Sequence, residues 1–126
     1  MALNEEQLVL LAEQIVSDLK EQLEGQEETG RTQAAKAIEV AMATESLLVF
    51  RNWLRYQMFR LKFWRTGEPG PELATRVEQA VARIEREAEP PEMMAQVARF
   101  LGYFRRALMA VQYLEQIPPA RARGVG

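Results

Sequence analysis

Residues 49–65 read VFRNWLRYQMFRLKFWR, and the rest of the chain is best understood outward from them. Five basic side chains (Arg51, Arg55, Arg60, Lys62 and Arg65) are interleaved with aromatic and aliphatic ones, with no acid, Gly or Pro among them. A run of this length without alternating β-branched residues predicts helix. At about 100° per residue, Arg51, Arg55, Lys62 and Arg65 fall within an arc of roughly 80°, while Val49, Trp53, Tyr56, Phe59 and Phe63 centre on the opposite side. The expected helix thus carries a basic ridge behind an aromatic core face. Phe50, Leu54 and Leu61 form a third group beside the ridge, and apolar side chains on more than one side of a helix imply deep burial or a partner.

The same helical period continues on both sides. Asn4 followed by Gln7 predicts a capped start, after which Leu8, Leu11, Ile15, Leu19 and Leu23 repeat every three or four residues until Gly25. Gly25 to Gly30 reads as a connector. Thr29 or Thr32 then caps a long segment whose expected break is Thr44-Glu45-Ser46. Gly67-Glu68-Pro69-Gly70-Pro71 predicts a turn, with Pro71 at a first helical position. Leu73, Val77, Val81, Ile84 and Ala88 form the next stripe, which Pro90-Pro91 ends. The last helix is expected from about Glu92 through Val97, Phe100, Leu101, Phe104, Leu108, Val111 and Leu114 to Ile117, where Pro118-Pro119 stops it. The expected fold class is all-α, a compact bundle of four to five helices with a long central basic and aromatic helix, in one domain over residues 1–119 with a disordered tail over 120–126.

Composition agrees with a folded core: 126 residues, 48% hydrophobic and 27% charged, lie well outside the regime of disordered chains. The length permits a core without disulfide or metal staples. Neither cysteine nor histidine occurs, so thiol nucleophiles, the usual general base and the commonest transition-metal ligands are missing. The N-terminus has no basic and apolar leader pattern, and no apolar run approaches a membrane span, so a cytoplasmic location is expected.

The net charge of −2 conceals segregation. Residues 1–29 hold eight acids against Lys20, residues 49–65 hold five cations and no acid, and residues 98–126 set Arg99, Arg105, Arg106, Arg121 and Arg123 against Glu115. Arginine supplies most of the positive charge, which suits bidentate contact with phosphate or carboxylate. Three uses of the ridge stand open: pairing with the acidic first helix, tracking of nucleic-acid phosphates, or protein contact, including an acidic surface of one copy meeting the basic surface of the next. Aromatics at core spacing are more often core than base-stacking platforms, because stacking needs them exposed. The acids Glu5-Glu6, Glu27-Glu28 and Glu85, Glu87, Glu89 are the candidates for a magnesium site, yet they fall on solvated faces or connectors. Gly67, Gly70 and Gly102 lack phosphate-loop spacing. No catalytic residue, metal or cofactor is expected.

From Thr29 onward, the order of features resembles the small subunit of type III-A CRISPR effector complexes, an all-helical protein that stacks along the guide-target duplex. Thr32-Gln33 with Lys36 is similar to that family's Thr-rich helix opening. Leu54, Tyr56 and Arg60 match its Leu-x-Tyr-x-x-x-Arg stretch, and Phe100 to Ala110 is similar to its closing Phe- and Ala-rich helix. Ala35 stands where that family usually carries Arg, and Ala110-Val111-Gln112 where it reads Ala-Tyr-His. The resemblance implies a non-catalytic structural subunit, packed head to tail with other copies and contacting guide or target RNA backbone without reading sequence. The RNA-contacting residues it implies are Lys36, Arg51, Arg55, Arg60, Lys62 and Arg65, with Arg105 and Arg106 second; Phe50, Leu54 and Leu61 would be partner-binding. The small subunit of type III-B complexes is also helical and basic on one face. The alternative is a protein-only adaptor or antitoxin-like bundle whose Phe50, Leu54 and Leu61 face docks a partner helix.

Overall fold

The computed structural model describes residues 2–67 and 70–117. Among them, five helices of 14 to 20 residues make the bundle: α1 (Glu5–Asp18), α3 (Glu27–Met42), α4 (Leu47–Arg60), α5 (Leu73–Glu87) and α6 (Pro90–Met109). A single turn, α2 (Lys20–Leu23), follows α1, and 3-10 turns occupy Lys62–Arg65 and Val111–Tyr113. No strand occurs among the described residues, and none of the helices is long and apolar enough to cross a membrane. The expected all-α bundle is the observed architecture.

Local chemistry sets most helix ends. The Gln7 amide donates to Asn4 Oδ1 and the Asn4 amide to Gln7 Oε1, both at 2.8 Å, which satisfies two otherwise orphaned donors of α1. The break between α3 and α4 falls at Thr44 to Ser46, as the sequence suggests. The Ser46 amide donates to Thr44 Oγ1 at 2.9 Å, and Ser46 Oγ in turn accepts from Val49 N at the start of α4.

Other boundaries depart from the sequence reading. α3 begins at Glu27, so Thr29 and Thr32 lie inside it, and Thr32 Oγ1 bonds back to the Glu28 carbonyl instead of capping. Gly30, expected in a connector, is buried in α3; a Cβ there would meet Leu108 and Phe63 at 3.3 and 3.4 Å, so its bareness lets α3 approach α6. Pro90-Pro91 opens α6 rather than closing α5, in keeping with proline's tolerance where no amide donor is needed. Pro71 precedes α5 by two residues. α6 ends at Met109, and Ile117, expected on its apolar stripe, is 82% exposed. Pro118-Pro119 and the expected tail lie outside the described residues.

One cluster of buried side chains draws on every helix and both 3-10 turns. α3 packs antiparallel along α6, with Gly30 near Leu108 and Arg31 near Arg105. α1 also lies against α6, where the Leu3 carbonyl accepts from Gln96. At the centre, fully buried Trp64 meets Phe63 and Trp53 edge-on, at 5.1 and 6.0 Å between centroids, and stacks at 6.4 Å on Phe104. Its Nε1 donates to Gln33 Oε1 at 3.0 Å, so the indole's polar atom is satisfied as well as its ring.

Gly67 is the last described residue before Gly70, Glu68 and Pro69 of the turn expected there lying outside the described residues. It sits at φ +153°, and a Cβ would lie 2.5 Å from the Pro71 carbonyl oxygen and 2.7 Å from Glu72 Cα. Both neighbours are backbone and cannot swing aside. Gly67→Ala is expected to destabilise the fold by about 1–3 kcal/mol, read as a lower urea midpoint at constant m-value. A change within about 0.5 kcal/mol would mean that the contact with the Pro71 and Glu72 backbone is relieved without cost.

Candidate nucleic-acid interface on the outer face of α4

The helix begun at Leu47 does not run to Arg65. Leu61 is extended, at φ −129° and ψ 129°, and the chain re-enters a 3-10 turn at Lys62. Continuation of the helix would carry Phe63 toward the outer face at about 100° per residue; departure at Leu61 instead buries Phe63 and Trp64 against α3 and α6. With those two rings in the core, α4 is rotated relative to the sequence expectation. Its buried line is Leu47, Phe50, Leu54 and Gln57.

Two expectations are corrected by that rotation. Phe50 is fully buried and Leu54 nearly so, while Leu61 packs partly buried against the core, so these three form no partner-docking face. Conversely Val49, Tyr56 and Phe59, expected in the core, are 50%, 55% and 80% exposed. The rings of Tyr56 and Phe59 lie 6.3 Å apart with a 33° interplanar angle, open to solvent one helical turn from each other.

The cations divide into committed and uncommitted groups. Arg51 donates from Nε to Glu78 at 2.5 Å and from Nη2 to Glu85 at 3.1 Å, both on α5. The hydrogen bond to Glu78, with a smaller contribution from Glu85, holds its guanidinium above the ordinary pKa. Among the described residues, the ridge's ion pairs are those of Arg51 and run to α5, while Asp18 of the acidic first helix meets Arg76 of α5 at 2.8 Å. Arg65 turns back so that Nη1 donates to the carbonyls of Met58 and Phe59, closing the C-terminal end of α4. Arg105 donates to the Arg31 carbonyl at 3.2 Å, a helix-to-helix tie, and Arg106 rests 5.7 Å over the Tyr103 ring. The hydroxyl of Tyr103 bonds Glu5, which raises its pKa.

Arg55, Arg60 and Lys62 remain exposed and make no ion pair among the described residues. Arg60 is oriented by Gln57 Oε1 at 3.4 Å and by the Tyr56 ring, 6.0 Å from its Cζ. Together with Tyr56 and Phe59 they occupy the outer side of α4 and the turn after it. Lys36 is likewise exposed and makes no ion pair among those residues, but it sits on α3.

Two concavities flank this surface. One, of about 250 Å³, opens between α4 and α5 and is lined by Arg51, Leu54, Arg55, Met58, Thr75 and Glu78. The other, about 440 Å³, is lined by Gln22, Gln26, Lys62, Arg65, Thr66 and Gly67, with no carboxylate among the described residues of its wall. Of the acids considered for magnesium, Glu85 pairs with Arg51, Glu87 with Arg83 at 3.0 Å, and Glu28 with Arg31 at 2.6 Å, which lowers the Glu28 pKa. No cluster of three or more metal-ligating side chains occurs among the described residues.

The chain matches no protein-family model, no curated protein and no solved structure.

Proposed function

We propose that this chain is a cytoplasmic, non-catalytic subunit of a type III CRISPR RNA-guided effector complex, stacking head to tail with other copies and holding an RNA strand by its backbone. The observation that carries the RNA part is the exposed trio Arg55, Arg60 and Lys62, without carboxylate partners among the described residues and continuous with a helix that contains no acid. Cations in that state can each neutralise a phosphate and release the counterions condensed on the nucleic acid, whereas Arg51 is already paired with Glu78 and Glu85. The assignment to this class of complex rests on the sequence resemblance. Two residues of the matched stretch, Tyr56 and Arg60, lie on the exposed face, and the third, Leu54, is core.

Titration of labelled RNA at several salt concentrations tests the proposal. Binding should be insensitive to sequence, with log K falling linearly as log salt rises; no binding even at low salt would overturn it. The commitment of Arg51 gives a sharper expectation. Arg51→Ala should leave the salt slope unchanged, while Arg55→Ala should reduce it by about 0.7 on a single strand. Removal of the solvent-accessible Arg51 pairs should cost less than about 1 kcal/mol of stability.

A protein-only adaptor is favoured by a separate observation. Met42 at the end of α3 and Leu48 and Val49 at the start of α4 are 74%, 69% and 50% exposed, apolar side chains at the opposite end of α4 from Arg60 and Lys62. Partner binding that persists unchanged as salt is raised would support that reading.

A further inference from the structure

We infer that the outer face of α4 is a stacking platform for unpaired nucleobases, with Tyr56 and Phe59 beneath the bases and Arg55, Arg60 and Lys62 on the flanking phosphates. The inference rests on the RNA-binding proposal and narrows its ligand to single-stranded RNA.

Tyr56 and Phe59 are three residues apart on a regular helix, 55% and 80% exposed, with ring centroids 6.3 Å apart. Phe59, 80% exposed, contributes little buried area to the fold, and the Tyr56 hydroxyl ties down no other helix among the described residues. Exposed cations flank the rings: Arg60 Cζ lies 6.0 Å from the Tyr56 centroid, Arg55 stands one helical turn before Phe59, and Lys62 follows at the turn. α4 contributes no carboxylate to this surface. A nucleotide presents what such a surface matches, a flat π-face for an aromatic ring next to an anion for a guanidinium. A duplex cannot use the site in full, because its base faces are occupied by one another and only its phosphates reach a protein ring at this position. A protein ligand would be served by the rings, but the flanking positive charge would then require acidic residues on that partner at every side of the patch.

The experiment compares three labelled RNAs with equal numbers of phosphates: a single-stranded oligoadenylate, an abasic strand of the same length, and a duplex. Wild-type protein should bind the oligoadenylate roughly tenfold or more tightly than the abasic strand for each base stacked. Tyr56→Ala/Phe59→Ala should abolish this preference while leaving the salt slope intact, since it removes no charge. Tyr56→Phe/Phe59→Tyr should restore it. Both rings are exposed, so the variants should keep the wild-type far-UV circular dichroism spectrum. Equal affinity for base-bearing and abasic strands would overturn the stacking platform while leaving phosphate tracking in place. Failure of all three RNAs to bind would overturn both and give the face to a protein partner.

Discussion

Replacing Trp64 with Ala should lower stability by about 3–5 kcal/mol, which for a chain of this size corresponds to a fall in melting temperature of about 10–20 °C. Trp64 is fully buried and touches rings from three directions: Phe63 beside it, Trp53 on α4 and Phe104 on α6. Truncation leaves a void as large as any this core can offer, and it strands the Gln33 carbonyl oxygen that the indole nitrogen now serves at 3.0 Å. Trp64→Phe separates the two contributions, because it refills most of the space while still leaving Gln33 without its donor. Its expected destabilisation is smaller, about 1–3 kcal/mol. Thermal unfolding followed by circular dichroism reads both. A Trp64→Ala effect under about 1 kcal/mol would show that the 3-10 turn is not anchored by this ring.

The combined variant Arg55→Ala/Arg60→Ala/Lys62→Ala should have the largest effect on binding. With three fewer phosphates neutralised, the salt slope falls by about 2 on a single strand, which is about a hundredfold in affinity at 0.1 M salt if counterion release supplies the whole contribution. Stability should scarcely change, because none of the three makes an ion pair among the described residues; the main interaction removed is the weak bond from Arg60 to Gln57, at 3.4 Å. The comparison with Arg51→Ala decides what kind of basic surface this is. If removal of the committed arginine weakens RNA binding as much as removal of an uncommitted one, the surface acts as a diffuse positive field, and no defined track exists.

The stripes with a single apolar side are legible from spacing alone. Leu73, Val77, Val81 and Ile84 of α5 are all buried, as are Val97, Phe100, Leu101, Phe104 and Leu108 of α6. α4 is not legible in the same way, because apolar or aromatic residues occur all round it and the period does not choose a face. The choice is made by Leu61, where the chain leaves the helix without a Gly or Pro to announce it, and by the two rings that this departure sends inward. Which arginines are free is equally hidden. Arg51 and Arg55 share a side of α4, but only Arg51 finds carboxylates, 27 and 34 residues further along the chain. Gly30 and Pro90 mislead for a related reason: each is a breaker in isolation, and each is accommodated by its place, one at a helix crossing and the other at a helix start.

On the proposed RNA-binding reading, Arg65 would aid the binding of an anion without touching it. A helix ends in carbonyls that together carry about half a negative charge, and the end of α4 lies between Arg60 and Lys62, where an incoming phosphate chain is expected. By closing over the carbonyls of Met58 and Phe59, the Arg65 guanidinium covers that negative pole with a positive group. The helix end, ordinarily repellent to phosphate, is thereby turned into a surface over which a polyanion can pass.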